Sequence, residues 1–276
     1  MLSIGNIVRK SQPSMFWGMR NIAKPKREAM YTIFAFSRHI DNIVNSSMKL
    51  EEKMDLLNLW HDEIDNIYDK NVPATNIGRK IYKNCMRFNL PKDLILEILN
   101  SAFLNVPTGL FAPSLETFNK YIHGAIVVPL RLSFMIIGDG RPATQAALAK
   151  YIGYSLMVTY ILRDIKDDAK LGRVYIPREY LKNASVDISS PMAVAGDKCL
   201  YLAREMLAKD AEKYYSKAMR LLNKMDKRYA ISFNYVTNVG YRIFEKMKNR
   251  GWEIISPKPK IGKIEKIRLC LKAFWN

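Results

Sequence analysis

Two stretches decide how this chain is read: Ser37–Asn45, SRHIDNIVN, and Leu162–Pro177, LRDIKDDAKLGRVYIP. Around the first, Phe34, Arg38, Asp41 and Asn45 follow one another at spacings of four, three and four, so they share one face of a helix. Leading into the second, Gly153, Met157, Tyr160, Asp164 and Asp168 form a similar stripe, apolar at its start and acidic at its end. A third stripe, Tyr121, Ala125 and Val128, is small and apolar. Any one of these aspartates alone reads as the solvated fringe of a core-facing helix. Together they read differently, because Asp164 and Asp168 sit one helical turn apart with Asp167 beside them. A hard cation such as Mg²⁺ binds through one or two carboxylates plus phosphate oxygens of a substrate. Two acidic helix ends facing one cavity therefore suit a diphosphate. Arg38, Arg163 and Arg173 are the candidates to disperse its charge, or else salt-bridge partners of the neighbouring aspartates.

The rest of the chain supplies the setting. Helical spacing predominates, and no alternating run is bounded by hairpin turn signals, so the fold class is all-α. Helices are expected over Pro25–Asn45, Leu50–Tyr68, Thr75–Arg87, Lys92–Val106, Ser114–Ile137, Pro142–Ala169, Pro191–Met225 with a break, and Tyr229–Asn249. Nothing marks a domain boundary in the 276 residues, so one domain over 1–276 is expected. Apolar residues make up 49% of the chain, enough for a sizeable core. Cys85, Cys199 and Cys270 lie far apart with no metal-ligand spacing, which points away from disulfides and zinc and towards a reducing cytoplasm. The opening residues lack the pattern of a secretory signal, and the most apolar runs are broken by Arg131 or end at Arg163, so no membrane span is expected.

Forty-four Lys and Arg against 26 Asp and Glu give a net charge of +18 and favour an anionic partner. No nucleic-acid recognition motif accompanies that charge, leaving phosphorylated small molecules and acidic membrane surfaces. The segment 261–276 spaces Ile261, Ile264, Ile267, Leu271 and Phe274 on one face among Lys263, Lys266, Arg268 and Lys272. This pattern fits a basic interfacial helix resting on an anionic membrane, or a helix packing its apolar face on the bundle.

At these residues the chain resembles the squalene/phytoene synthase family of head-to-head prenyltransferases. Arg163, Asp164, Asp168, Gly172, Arg173, Tyr175 and Pro177 match its second signature; Ala35, Arg38 and Asp41 match the first, from which Phe34, Asn42 and Asn45 depart. Met157, Tyr160 and the AIVVPL stretch depart as well. The likeness extends over nearly the whole chain, most closely to bacterial presqualene diphosphate synthases of the hopanoid pathway. It implies an isoprenoid synthase bundle around a central apolar cavity. The implied reaction is Mg²⁺-assisted condensation of two farnesyl diphosphates to presqualene diphosphate or a related product. The resemblance assigns catalysis to Arg38, Asp41, Tyr121, Arg163, Asp164, Asp168 and Tyr175, and metal binding to Asp41, Asn45, Asp164 and Asp168. Ser14, Phe16, Trp17, Phe34, Ala125, Met157, Tyr160, Arg173 and Tyr241 are its expected substrate-binding set. Loss of carboxylates at positions 42 and 45 leaves a second reading open, a non-catalytic relative that binds prenyl lipids or assembles with a partner.

Overall fold

The 3.6-residue periodicity becomes a stack of helices in the computed structural model, which describes residues 4–106 and 110–275 and the side chains as far as Ala273. In chain order these are α1 (Ile4–Ser11), α2 (Pro13–Gly18), α3 (Lys24–Val44), α4 (Leu50–Asp65), α5 (Asn76–Phe88), α6 (Lys92–Asn105), α7 (Leu115–Ile122), α8 (Val128–Ile137), α9 (Pro142–Lys170), α10 (Arg178–Asn183), α11 (Pro191–Gly196), α12 (Leu200–Leu222), α13 (Lys227–Arg250) and α14 (Lys263–Trp275). The only β pairing among the described residues is an isolated bridge between Phe111 and Val174.

Local chemistry sets several ends. Pro25 and Pro142 occupy first turns, where their missing N–H has no intrahelical partner to lose. Thr75 and Ser114 accept hydrogen bonds from the first-turn amides of Gly78 and Thr117, which have no intrahelical partner. The expected helices agree with the observed ones to within a few residues, with three differences. The segment Asn66–Lys70 closes α4 as a π-helical turn instead of continuing it. Ser114–Ile137 is a rod whose middle, His123–Val127, is also π-helical. The extra residue there carries Gly124 against α6, where a Cβ would collide with the Ser101 side chain and the Glu97 carbonyl. The third difference is the short helices α1, α2 and α10, which the spacing does not predict, whereas the break expected in Pro191–Met225 falls between Gly196 and Leu200.

By length and hydropathy, the Leu115–Ile137 rod is apolar enough to cross a membrane, despite Arg131; 61% of its most apolar window is buried inside the protein. That burial is what a core helix shows. At the centre lies α9, packed against α8, α11, α12 and α13. Leu148, Ile152, Leu156, Val158, Ile161, Leu162 and Ile165 are all buried, so this helix is wrapped on most sides until its last turn. The turn that follows is closed by hydrogen bonds from the amides of Gly172 and Arg173 to the carbonyls of Ala169 and Asp168. Gly172 has φ of 79°, a left-handed conformation that glycine adopts without a Cβ penalty. The reversed chain then pairs Val174 with Leu110 and Ala112, leaving Arg173 and Tyr175 beside the end of α9.

Candidate active site

A cavity of about 690 Å³ runs between α3, α6, the π-helical turn His123–Val127, α9 and α13. Its polarity changes along α9. Leu156 and Met157 form its wall first, then Tyr160, then Arg163 and Asp164. Over those eight residues a helix rises about 12 Å. Val236, Val239 and Ile243 of α13 and Ile98 and Ala102 of α6 extend the apolar lining. Arg38 and Asp41 of α3, with Lys260 and Lys266 near the C-terminus, add charge. This shape and lining suit a ligand with a hydrocarbon body and an anionic head.

Of the residues expected here, Ser14, Arg38, Asp41, Tyr121, Ala125, Met157, Tyr160, Arg163 and Asp164 line the cavity. Tyr175 stands behind Tyr121, the rings stacked at 5.3 Å. Four aromatic expectations need correction. Phe34 is 1% exposed and packed in the core away from the cavity. Phe16 stacks on Tyr31, and Trp17 meets the edge of Phe16 while remaining 56% exposed. Tyr241 packs against Tyr215 and Phe244. None of the four forms cavity wall. Neither spacing nor resemblance could separate them, because an aromatic side chain fits the core, a surface contact and a ligand pocket equally well.

The carboxylates are unequally compensated. Asp41 accepts hydrogen bonds from Arg38 Nη1 at 2.6 Å and Asn45 Nδ2 at 2.8 Å. Burial nevertheless raises its pKa against the pull of Arg38, Asn45 and Arg173. Asp164 takes both oxygens of its carboxylate to Arg163, at 2.9 and 2.7 Å, and Oδ1 also receives Lys258 Nζ at 2.6 Å. Burial works to raise its pKa, but those donors outweigh it and hold the group below the usual range. Asp168 goes the other way: burial and the adjacent Asp164 charge push it up to about 6, opposed by Lys258 and Arg173. Arg173 does not line the cavity, yet its charge acts on Asp41, Asp168 and Tyr175 alike.

Tyr121 links the two acidic helices. Burial raises its pKa strongly, with Tyr175, Asp41 and Asp168 acting in the same direction, so its hydroxyl is a neutral hydrogen-bond donor. Tyr175 is raised by burial too, and is hydrogen-bonded to Asn105 and Tyr121. Asn105, whose side-chain carbonyl also receives the amide of Leu110, and Lys260 are cavity residues that sequence reading missed; so is Lys258, which does not line the cavity but pairs with Asp164. A lone asparagine or lysine carries no periodic signal that could have found them.

Among the described residues, no cluster of three or more His, Cys, Asp or Glu is close enough to hold a metal ion by itself. The chemistry on the α9 side still fits Mg²⁺: two hard carboxylates one turn apart, Asp168 being the one whose charged form burial and Asp164 disfavour and a cation would favour, leave the remaining positions to phosphate oxygens. Asn45 contributes differently from expectation, since its amide NH₂ is committed to orienting Asp41.

A profile of the squalene/phytoene synthase family matches residues 8–265. A presqualene diphosphate synthase of Rhodopseudomonas palustris is 28% identical over 260 residues, covering 94% of this chain and 92% of the relative. Another from Sinorhizobium fredii is 32% identical over 210 residues, covering 76% and 74%. Among solved structures, a dehydrosqualene synthase in complex with ligand superposes with a TM-score of 0.83 over 98% of this chain and 93% of that one, at 17% identity. The helical architecture is thus the all-α isoprenoid synthase fold. With the profile spanning nearly its whole length, this chain belongs to the squalene/phytoene synthase family.

Proposed function

We propose that this protein condenses two prenyl diphosphates head-to-head, with farnesyl diphosphate as substrate and presqualene diphosphate as product. The cavity carries this reading: an apolar space for hydrocarbon chains ends at Arg38, Arg163, Asp41 and Asp164, charges suited to a diphosphate and its counter-ion. Asp164 and Asp168, with Asp41 in support, would hold Mg²⁺, which when bound would supply charge neutralisation to a departing diphosphate. In the reaction the C1–O bond of one substrate breaks and diphosphate leaves with the electron pair. The C2=C3 double bond of the second substrate attacks the resulting allylic C1. Loss of a proton from that C1 closes a cyclopropane ring, and the second substrate keeps its diphosphate.

The side chains have separable tasks. Arg38 and Arg163 neutralise diphosphate charge, and Arg163, 4.8 Å over the Tyr160 ring, is steadied by it. Tyr121 donates a hydrogen bond to the diphosphate, oriented by Tyr175 and through it by Asn105. Met157, Ala125 and Leu156 exclude water from the allylic cation. The second reading, a prenyl-lipid binder without turnover, draws on the ion-paired oxygens of Asp41 and Asp164.

The product is a lipid, and α14 offers a place for it to leave. Glu265 joins α14 to Arg242 and Lys246 of α13, and Ala273 is buried against the bundle. The expected stripe therefore faces outward: Ile264, Ile267 and Leu271 are 70%, 60% and 55% exposed among Lys263, Lys266, Arg268 and Lys272. Ile261 differs, forming cavity wall with Lys266, and the Phe274 side chain lies outside the described residues. An apolar strip flanked by cations beside a lipid cavity suits an anionic bilayer surface.

Incubation of the purified protein with farnesyl diphosphate and Mg²⁺ should release diphosphate and yield presqualene diphosphate. Asp164→Ala and Asp168→Ala should each lower that rate by roughly a hundredfold or more, the scale expected when charge stabilisation at a leaving group is removed. Binding of substrate without any released diphosphate would favour the non-catalytic reading. The raised pKa of Asp168 predicts a pH signature as well. Its proton is held more tightly in the folded protein than in the unfolded chain, so its effect on stability worsens as pH rises from about 4 through about 6. Asp168→Asn should therefore melt higher than the parent above pH 6 and equally near pH 4; a pH-independent difference would contradict the assignment. On membranes, the protein should sediment with anionic vesicles at low salt. The triple change Ile264→Ser, Ile267→Ser, Leu271→Ser should weaken this by at least about tenfold, given the apolar area withdrawn. Undiminished sedimentation would exclude α14 as the contact.

A further inference from the structure

The chain between α13 and α14, residues 251–262, forms a strap over the charged end of the cavity. Arg204 of α12, fully buried, donates to the carbonyls of Trp252 and Ile254 on the strap and of Leu162 on α9. Its guanidinium also lies over the Trp252 ring at 5.7 Å. One side chain thus ties the start of the strap to the helical turn that carries Arg163 and Asp164. Arg250 adds hydrogen bonds to the carbonyls of Ile254 and Pro257. At the far end, Lys246 donates to the Lys260 carbonyl at 2.8 Å and to Glu265 at 2.6 Å. Pro259, Lys260 and Ile261 then lie along the cavity wall.

Between these two anchorages Lys258 reaches back to α9. Its ammonium is 2.6 Å from Asp164 Oδ1 and 2.5 Å from Asp167 Oδ2. A carboxylate oxygen already bonded to an ammonium is a poorer ligand for a divalent cation, since both cations draw on the same charge and lone pairs. Arg163 approaches Asp164 from its own helix, whereas Lys258 arrives on a segment that has no helical hydrogen bonds of its own and is held largely through carbonyls.

We infer that Lys258 is a tethered cation competing with divalent metal for the Asp164 carboxylate, so that metal loading and the seating of the 251–262 strap are coupled. The inference rests on the reading of Asp164 as a metal ligand. Coupling is reciprocal: metal that displaces Lys258 loosens the strap, and removal of Lys258 strengthens metal binding. The strap borders the cavity, so its seating governs access to the charged end.

The test uses the full-length protein without any prenyl substrate, so that its outcome is independent of turnover. Mn²⁺ affinity, read by electron paramagnetic resonance of the free ion, is compared among the parent, Lys258→Met, Lys260→Met and Asp164→Asn. Lys258→Met should bind Mn²⁺ roughly three- to tenfold more tightly, the range set by two partly exposed ion pairs. Lys260→Met, which removes the same charge from the same strap without a carboxylate partner, should shift affinity less. Hydrogen exchange of strap amides in the parent should quicken on adding Mn²⁺, and Asp164→Asn should abolish that response. Equal affinities for parent and Lys258→Met, equal shifts in the two lysine variants, or metal-insensitive exchange of the strap would each overturn the coupling. Failure of these measurements beside normal condensation of farnesyl diphosphate leaves the proposed function standing and removes only the strap's part in it.

Discussion

Like charge gathered at the end of a buried helix is the constraint around which this structure is arranged. Asp164 and Asp168 lie one turn apart near the C-terminus of α9, where the helix dipole already disfavours anions and where the surrounding helices exclude much of the water. Such a pair needs cations. Arg163 comes from the same helix, Arg173 from just beyond the turn that Gly172 permits, and Lys258 from a strap fastened by Arg204. Asp168, raised by burial and by Asp164, lies one turn beyond Asp164, the aspartate of α9 that lines the cavity. Charge left over at that point is what a bound cation would offset.

The α3 side is built on a different principle. There a single aspartate is held by Arg38 and Asn45, and the neighbouring position 42 is an amide as well. An amide at position 45 donates to Asp41, where a carboxylate would repel it. The two helices therefore meet the cavity asymmetrically: α3 offers one carboxylate oriented by Arg38 and Asn45, and α9 two carboxylates one turn apart, of which Asp164 is paired to Arg163 and Lys258. Tyr121, under the influence of both Asp41 and Asp168, connects them.

Much of this arrangement is legible from spacing. The i, i+3 and i, i+4 relations that put Arg38 and Asp41 on one face, and Met157, Tyr160 and Asp164 on another, are properties of the α-helix and survive into the cavity wall. Long helices with one buried stripe announce themselves for the same reason. What spacing does not carry is the third dimension. Phe34 occupies the face shared by Arg38 and Asp41 but lies just over one turn before Arg38, where the helix is buried in the core, so the same rule misplaces it. The π-helical turn at His123–Val127 depends on how closely Gly124 approaches α6, a fact about two helices and not one. Lys258 is one of 44 basic residues, and its meaning comes from a carboxylate 94 positions away. The aspartates are recognisable because their chemistry is scarce in this chain; their lysine partner is not, because its chemistry is everywhere.

The most direct measurement is the anomalous signal of Mn²⁺ in crystals grown with a non-hydrolysable thiodiphosphate analogue of farnesyl diphosphate. The account predicts metal bound to Asp164 and Asp168 and bridged to the analogue's phosphate oxygens, with the hydrocarbon chain running towards Leu156 and Val236. Metal confined to Asp41 and Asn45, or an analogue bound with both α9 carboxylates free of metal, would contradict it.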